Sequence, residues 1–223
     1  MKSTLLRTLA GAAATVLVTS IASAQATATG VLNAVEVRQL VASADPADHA
    51  RLERHFSALA SDYAKEAGRH AAMASAIGGN PNHPAPTASA HCARLAELNS
   101  QSAATLRELA AHHAALAGGN ASTAPLDAWR FENGEGAPAP TDDELRVMAA
   151  RAKTPSDHRA IQEYFVTLAR RYEAEANDHL FMARAYRGNA NRRGGDPGVH
   201  CDRLVTQLRE AAGEARAAAT EHK

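Results

Sequence analysis

The sequence predicts an all-α protein, a four-helix bundle made of two tandem antiparallel helical hairpins with short flanking helices. Alanine supplies most of the apolar residues, and alanine favours helix. Stretches rich in Val, Ile and Thr, which are typical of strands, are almost absent. Long segments instead repeat their apolar residues at alternating steps of three and four, the spacing of one helix face.

Length and charge exclude several classes of protein. The chain has 223 residues, with 24 basic and 24 acidic side chains. A nucleic-acid-binding surface normally produces a basic excess, so this balance predicts no nucleic-acid partner. No segment of the mature chain is long and apolar enough to predict a membrane span.

Residues 1–24 have the features of a cleaved signal peptide. Lys2 and Arg7 form a positive start, and residues 9–18 are a short apolar stretch. The small residues Ala22, Ser23 and Ala24 then form a cleavage pattern. We therefore expect a periplasmic or secreted protein, in which both cysteines meet oxidising conditions.

The rest of the chain contains an internal repeat. Residues 46–113 align with residues 155–222 without a gap, and roughly a third of the aligned positions are identical. The predicted organisation is a first helical-hairpin repeat over residues 25–117, a Gly/Pro/Ala-rich linker over residues 118–141 and a second helical-hairpin repeat over residues 142–223. The repeat also predicts a pseudo-twofold axis within the bundle.

Each repeat is predicted to contain two long helices whose buried faces meet. The first helix has a heptad pattern of inward positions. These positions are His49, Leu52, Phe56, Leu59, Tyr63, Glu66, His70, Met73 and Ile77. Gly78, Gly79, Asn80 and Pro81 end it, and a second helix with the same spacing begins before Cys92.

The polar residues on these faces suggest a metal site. Eight of the 11 histidines fall into four repeat-related pairs, and the two cysteines form a further pair. Imidazole, thiol and thioether groups together form a soft ligand set, which favours copper over zinc. The predicted metal ligands are His70, Met73, His91, Cys92, His179, Met182, His200 and Cys201, with Glu66 and Glu175 orienting the imidazoles.

A second candidate cluster is predicted at the opposite end of the hairpins. His49 should meet His113 there, and His158 should meet His222, about 30 Å from the other cluster along the helices. These four imidazoles are also compatible with a simple helix-end role, because a cationic side chain is favourable at a helix C-terminus.

Several alternatives remain open at this point. Cys92 and Cys201 could form a disulfide, the inward histidines could hydrogen-bond to Glu66 and Glu175, and the methionines could simply fill the core. A chain of that kind would be a non-catalytic structural or stress-related envelope protein. A non-covalent haem or redox carrier is a further alternative, with Met73 and His179, or His70 and Met182, as ligands.

The sequence favours binding over catalysis, because no set of nucleophile, base and orienting group can be assembled from it. The expected partner is a metal ion. A homodimer is a candidate assembly, because a narrow alanine-rich face can pack between copies as readily as within one chain.

Overall fold

The computed structural model describes residues 32–81, 87–118, 140–189 and 195–222, and within these ranges the chain forms helices and no strands. The all-helical prediction is therefore confirmed. The helices are α1 (Ala34–Val41), α2 (Pro46–Gly78), α3 (Thr87–Leu116), α4 (Asp142–Arg151), α5 (Pro155–Gly188) and α6 (Gly198–Thr220). The proposed signal peptide, and all of the proposed linker except residues 118, 140 and 141, lie outside the described residues.

The long helices α2 and α5 begin at matching signals. Each has proline in its first turn, where the missing N–H has no helical partner in any case. The Asp45 side chain accepts a hydrogen bond from the Ala47 amide (Oδ1 to N, 2.9 Å) at the start of α2. At the start of α5, Thr154 and Asp157 form a reciprocal capping box. These caps define the residue at which each helix begins.

The helices α2 and α3 pack against each other in antiparallel directions. At one end, the Ser89 hydroxyl donates to the Ala74 carbonyl (Oγ to O, 2.8 Å), and at the other end His49 meets His113. The helices α5 and α6 pack in the same way, and His158 meets His222. A Cβ atom at Gly198 would lie 3.2 Å from the Ala183 carbonyl oxygen, so glycine permits the close approach of α6 to α5.

The helices α3 and α6 also pack against each other, again in antiparallel directions. His91 near the start of α3 pairs with Glu214 near the end of α6, and His200 near the start of α6 pairs with Glu108 on α3. Small buried residues supply much of the apolar surface of these two helices. They include Ala103, Ala110, Ala211, Ala212, Ala215 and Ala218.

The two short helices link the long ones. The helix α1 contacts both α2 and α5, and α4 contacts the same two helices. The Asn189 side chain donates to the Val41 carbonyl at the end of α1 (Nδ2 to O, 2.8 Å). The Asn80 side chain donates to the carbonyls of Ala149 and Ala152 at the end of α4 (Nδ2 to O, 3.4 and 3.3 Å). Among the described residues, no helix combines the length and apolar character that crossing a membrane requires.

Candidate functional site

Two repeat-related histidines lie deep in the molecule. We call His70 on α2 and His179 on α5 the inner histidines; their exposed fractions are 0% and 3%. The Nδ1 atom of each ring is buried and has no hydrogen-bond partner among the described residues. A buried polar atom left without a partner costs about 1–3 kcal/mol, and such an atom in a native protein often indicates a bound water or ion. Burial lowers the pKa of His179 to about 4, so this ring is neutral at pH 7.

The other nitrogen of His70 faces a buried carboxylate. Its Nε2 atom lies 3.2 Å from Oε1 of Glu66, one helical turn away. Glu66 also accepts hydrogen bonds from Nη1 of Arg69 (2.7 Å) and from the Tyr164 hydroxyl (3.2 Å). Burial alone would raise the pKa of Glu66, but the neighbouring His70 and the cations Arg171 and Arg69 lower it well below its usual range. Glu66 is therefore ionised. It lies within hydrogen-bond distance of Nε2 of His70, but the angles of the pair are not those of a hydrogen bond.

The repeat-related carboxylate, Glu175, has different surroundings. It accepts a hydrogen bond from the Tyr63 hydroxyl, and its Oε1 atom lies 3.6 Å from Nε of Arg171. Nη2 of Arg171 also lies 3.5 Å from Oε2 of Glu66. The guanidinium of Arg171 on α5 therefore contacts both Glu175 on its own helix and Glu66 on α2. The two predicted orienting carboxylates thus meet the same cation, an arrangement that the repeat did not predict.

The predicted sulfur ligands are buried with the inner histidines. Cys92, Cys201 and Met73 are at most 1% exposed, and Met182 is 4% exposed. The Ser89–Ala74 contact sets the register of α3 against α2, and in that register Cys92 lies at the level of His70. Burial raises the pKa of each thiol to about 12, so binding a metal through either sulfur requires the ion to displace a proton.

The remaining two predicted ligands lie elsewhere. Nδ1 of His91 is 2.7 Å from Oε2 of Glu214, and Nδ1 of His200 is 3.2 Å from Oε2 of Glu108. Both imidazoles are partly exposed and lie where α3 meets α6. The structure therefore ties His91 and His200 to carboxylates of the neighbouring helix and does not bring them to the inner histidines.

The structure does not contain the candidate disulfide between Cys92 and Cys201, and both cysteines are free thiols. The reason lies in the packing of α3 and α6. Because these helices are antiparallel, Cys92 lies beside the end of α6, whereas Cys201 lies about 20 Å away along the same interface. Disulfides need Cα atoms within about 7 Å of each other.

The second candidate cluster forms two matching pairs, which we call the end pairs. Nδ1 of His49 lies 3.1 Å from Nδ1 of His113, and Nδ1 of His158 lies 3.2 Å from Nδ1 of His222. His113 and His222 are 1% and 2% exposed, whereas His49 and His158 are half-buried. Each pair therefore has one buried ring and one ring that reaches solvent.

Aromatic rings connect the end pairs to the interior. His113 stacks on Phe56, with ring centroids 5.6 Å apart. His222 stacks on Phe165 (6.0 Å), and the same Phe165 ring stacks on His70 (6.3 Å). The inner histidine of the first repeat therefore lies close to the end pair of the second repeat, because α2 and α5 run in opposite directions.

Sequence reasoning missed several residues of these clusters. His55 accepts the Leu32 amide (N to Nδ1, 3.0 Å), and Tyr186 is hydrogen-bonded to Nε2 of His113 (2.7 Å). Tyr164 and Arg171 complete the surroundings of Glu66. The internal repeat could not reveal these residues, because the aligned position carries another residue type in each case. Their aromatic or charged character at inward helix positions was the available signal.

The described residues contain no ready-made group of three or more His, Cys, Asp or Glu side chains arranged to hold a metal ion. Comparisons of the chain with known protein families, with curated proteins and with solved structures gave no match.

Proposed function

We propose that this chain is an exported helical-bundle protein that binds a soft metal ion, copper favoured, at one site in each of its two repeats. In each site the inner histidine binds the ion together with the cysteine and the methionine of the same hairpin. These ligands are His70, Cys92 and Met73 in the first repeat, and His179, Cys201 and Met182 in the second.

The observation that carries this proposal is the pair of buried Nδ1 atoms of His70 and His179, which have no hydrogen-bond partner in the described part of the chain. The same atom lacks a partner at equivalent positions of the two repeats, which argues against an accident of one side chain. A metal ion or a tightly bound water would remove the cost of burying each nitrogen. Neutral imidazole, thiolate and thioether ligands favour copper among the common metals.

The proposal includes a duplicated architecture, in which two helical hairpins form a four-helix bundle. It is supported by the matching contacts of α2 with α3 and of α5 with α6, and by the two end pairs. The side chains of Asn80 and Asn189, which hold the ends of α4 and α1, are also related by the repeat. Export to the periplasm is proposed from residues 1–24 alone.

Two double variants and a matched control, each titrated with copper(I), test the proposal. The protein is stripped with chelator under reducing conditions and titrated with copper(I) against a competing chelator of known affinity. We expect the wild type to hold one ion per repeat, and the double variant H70A/H179A to lose both. The matched control H91A/H200A removes two histidines that pair with surface carboxylates, and it should bind as the wild type does.

A second variant protects the test against misfolding. C92A/C201A makes a smaller change to the core than removal of two imidazoles, and its helical circular dichroism should match that of the wild type. It should also lose tight copper(I) binding. If both double variants bind copper(I) as tightly as the wild type, the inner site does not exist. A non-catalytic structural role for the bundle would then be the better interpretation.

A further inference from the structure

The structure holds two further clusters that the inner sites do not use, namely the end pairs. The geometry points to a second class of metal site in this protein: each end pair chelates one divalent transition-metal ion, such as Cu²⁺, between the Nδ1 atoms of its two imidazoles. These sites are independent of the inner sites, with which they share no ligand.

The first support is the distance between the two nitrogens. Imidazole nitrogens lie about 2.0–2.1 Å from a bound transition-metal ion. Two ligands on one ion are then about 2.9 Å apart in a square-planar arrangement and about 3.4 Å apart in a tetrahedral one. The Nδ1–Nδ1 distances of 3.1 and 3.2 Å in the end pairs lie between these values. The ring centroids are 5.2 and 5.5 Å apart, so the two rings of each pair face each other nearly end to end, and binding an ion requires both rings to tilt towards it.

The second support is the surroundings of the buried ring in the first pair. Nε2 of His113 is 2.7 Å from the Tyr186 hydroxyl, and the His113 ring stacks on the ring of Phe56. When Nε2 carries the proton and donates it to Tyr186, Nδ1 is left with a free electron pair directed at His49. Histidines that bind metals usually have their other ring nitrogen fixed in this way.

The third support is access and charge. His49 and His158 are half-buried, so an ion can reach the end pairs from solvent, and water or a small anion can complete its coordination. Asp48 precedes His49 and Asp157 precedes His158, at repeat-related positions. Asp48 interacts electrostatically with His49, and His158 with Asp157. His113 lies in the last turn of α3, and His222 lies two residues after the end of α6, and the dipole at a helix C-terminus favours a cation.

The same nitrogen separation would suit an N–H···N hydrogen bond between two neutral rings. The experiment must therefore distinguish a metal ion bound between the two rings from a proton shared between them. The metal-free protein is titrated with Cu²⁺, and electron paramagnetic resonance counts the imidazole nitrogens coupled to each bound ion. We expect one Cu²⁺ ion per end pair, each coupled to two imidazole nitrogens.

Variants at the exposed ring of each pair provide the decisive comparison. H49Q/H158Q should lose both two-nitrogen Cu²⁺ sites, and the single variant H49Q should lose one and keep the other as an internal control. H91Q/H200Q removes two partly exposed histidines that pair with carboxylates of the neighbouring helix, and it should keep both sites. H70A/H179A should keep them as well, which separates this inference from the proposed inner sites.

The inference is overturned if the wild type binds no Cu²⁺ through two imidazole nitrogens, or if H49Q/H158Q retains the wild-type stoichiometry and spectrum. Either result would leave the end pairs as hydrogen-bonded helix-end contacts. The single variants H49Q and H158Q keep the test valid if the double variant folds poorly, since each leaves one end of the bundle unchanged.

Discussion

The inner histidines and the end pairs place the same side chain in two different environments. The inner rings are buried between long helices, and each has a buried nitrogen to which no described residue is hydrogen-bonded. In the end pairs, each buried ring faces a second ring that reaches solvent. Imidazole chemistry is common to both, so the difference lies in burial and in neighbours.

The burial of a histidine therefore affects which ion it can bind and how quickly the ion can reach it. An ion could reach a proposed end-pair site without any movement of the helices, whereas a proposed inner site could be filled only by local opening of the packed helices. The proposed inner sites also offer sulfur beside nitrogen, which suits copper(I), whereas the end pairs offer only imidazole and solvent, which suit divalent ions.

The two regions are joined through Phe165, which stacks on both His70 and His222. Phe56 has the equivalent position under His113, where its other ring contact is His55. Substitution of these two phenylalanines should therefore show whether metal binding at the inner histidines and metal binding at the end pairs are independent or coupled.

The largest expected effect is the loss of either phenylalanine. Both rings are fully buried, so F56A and F165A should each lower the free energy of unfolding by about 3–5 kcal/mol, measured by urea denaturation. F165A should weaken copper(I) binding at His70 and Cu²⁺ binding at its neighbouring end pair, whereas F56A should affect only Cu²⁺ binding at the His49–His113 pair. Equal effects of F56A and F165A on the His70 site would contradict the contacts described above.

A smaller effect is expected for the carboxylate beside His70. The Glu66 side chain is 4% exposed and that of Glu175 is 22% exposed. E66Q leaves Arg171 and Arg69 without their buried charge partner, so it should cost about 1–3 kcal/mol of unfolding free energy. E175Q should cost less than E66Q, and urea denaturation of both variants gives the comparison. The opposite order would mean that the bridging Arg171 depends mainly on Glu175.

The smallest effect is expected at the partly exposed pair of His91 and Glu214, whose side chains are 24% and 31% exposed. E214Q should change the free energy of unfolding by at most about 1 kcal/mol, because exposed ion pairs contribute little. It should leave both classes of metal binding unchanged, as judged by the copper(I) and Cu²⁺ titrations. A marked loss of copper(I) binding would indicate that His91 takes part in the inner site.

The local structure could be predicted from the sequence because its signals are short-range. The heptad spacing from His49 to Ile77 and the helix-ending residues Gly78 to Pro81 predict α2, and the structure has this helix at Pro46–Gly78. Asp45 caps this helix, directly before the proline of its first turn. The antiparallel hairpin also predicts that His49 meets His113, because helix rise and loop position fix their level.

The contacts between the two repeats could not be predicted in the same way. Nothing in the spacing of Cys92 and Cys201 reveals that α3 and α6 pack in opposite directions, which separates the two thiols. Likewise, Arg171 bridges Glu66 and Glu175, although its repeat-related residue is Asp62. Such contacts depend on the relative placement of whole helices, which is set by the packing of many side chains together.

Residue spacing therefore predicted the helical class and the meeting of His49 with His113 and of His158 with His222. These features follow from residue spacing, because a helix converts sequence separation directly into position. Only the tertiary structure decided which residues of one repeat meet those of the other: His70 beside Phe165, His91 beside Glu214, and Cys92 far from Cys201. The physical reason is that side-chain volume and charge across the whole interface select one arrangement of the helices, and no short pattern in the chain encodes that choice.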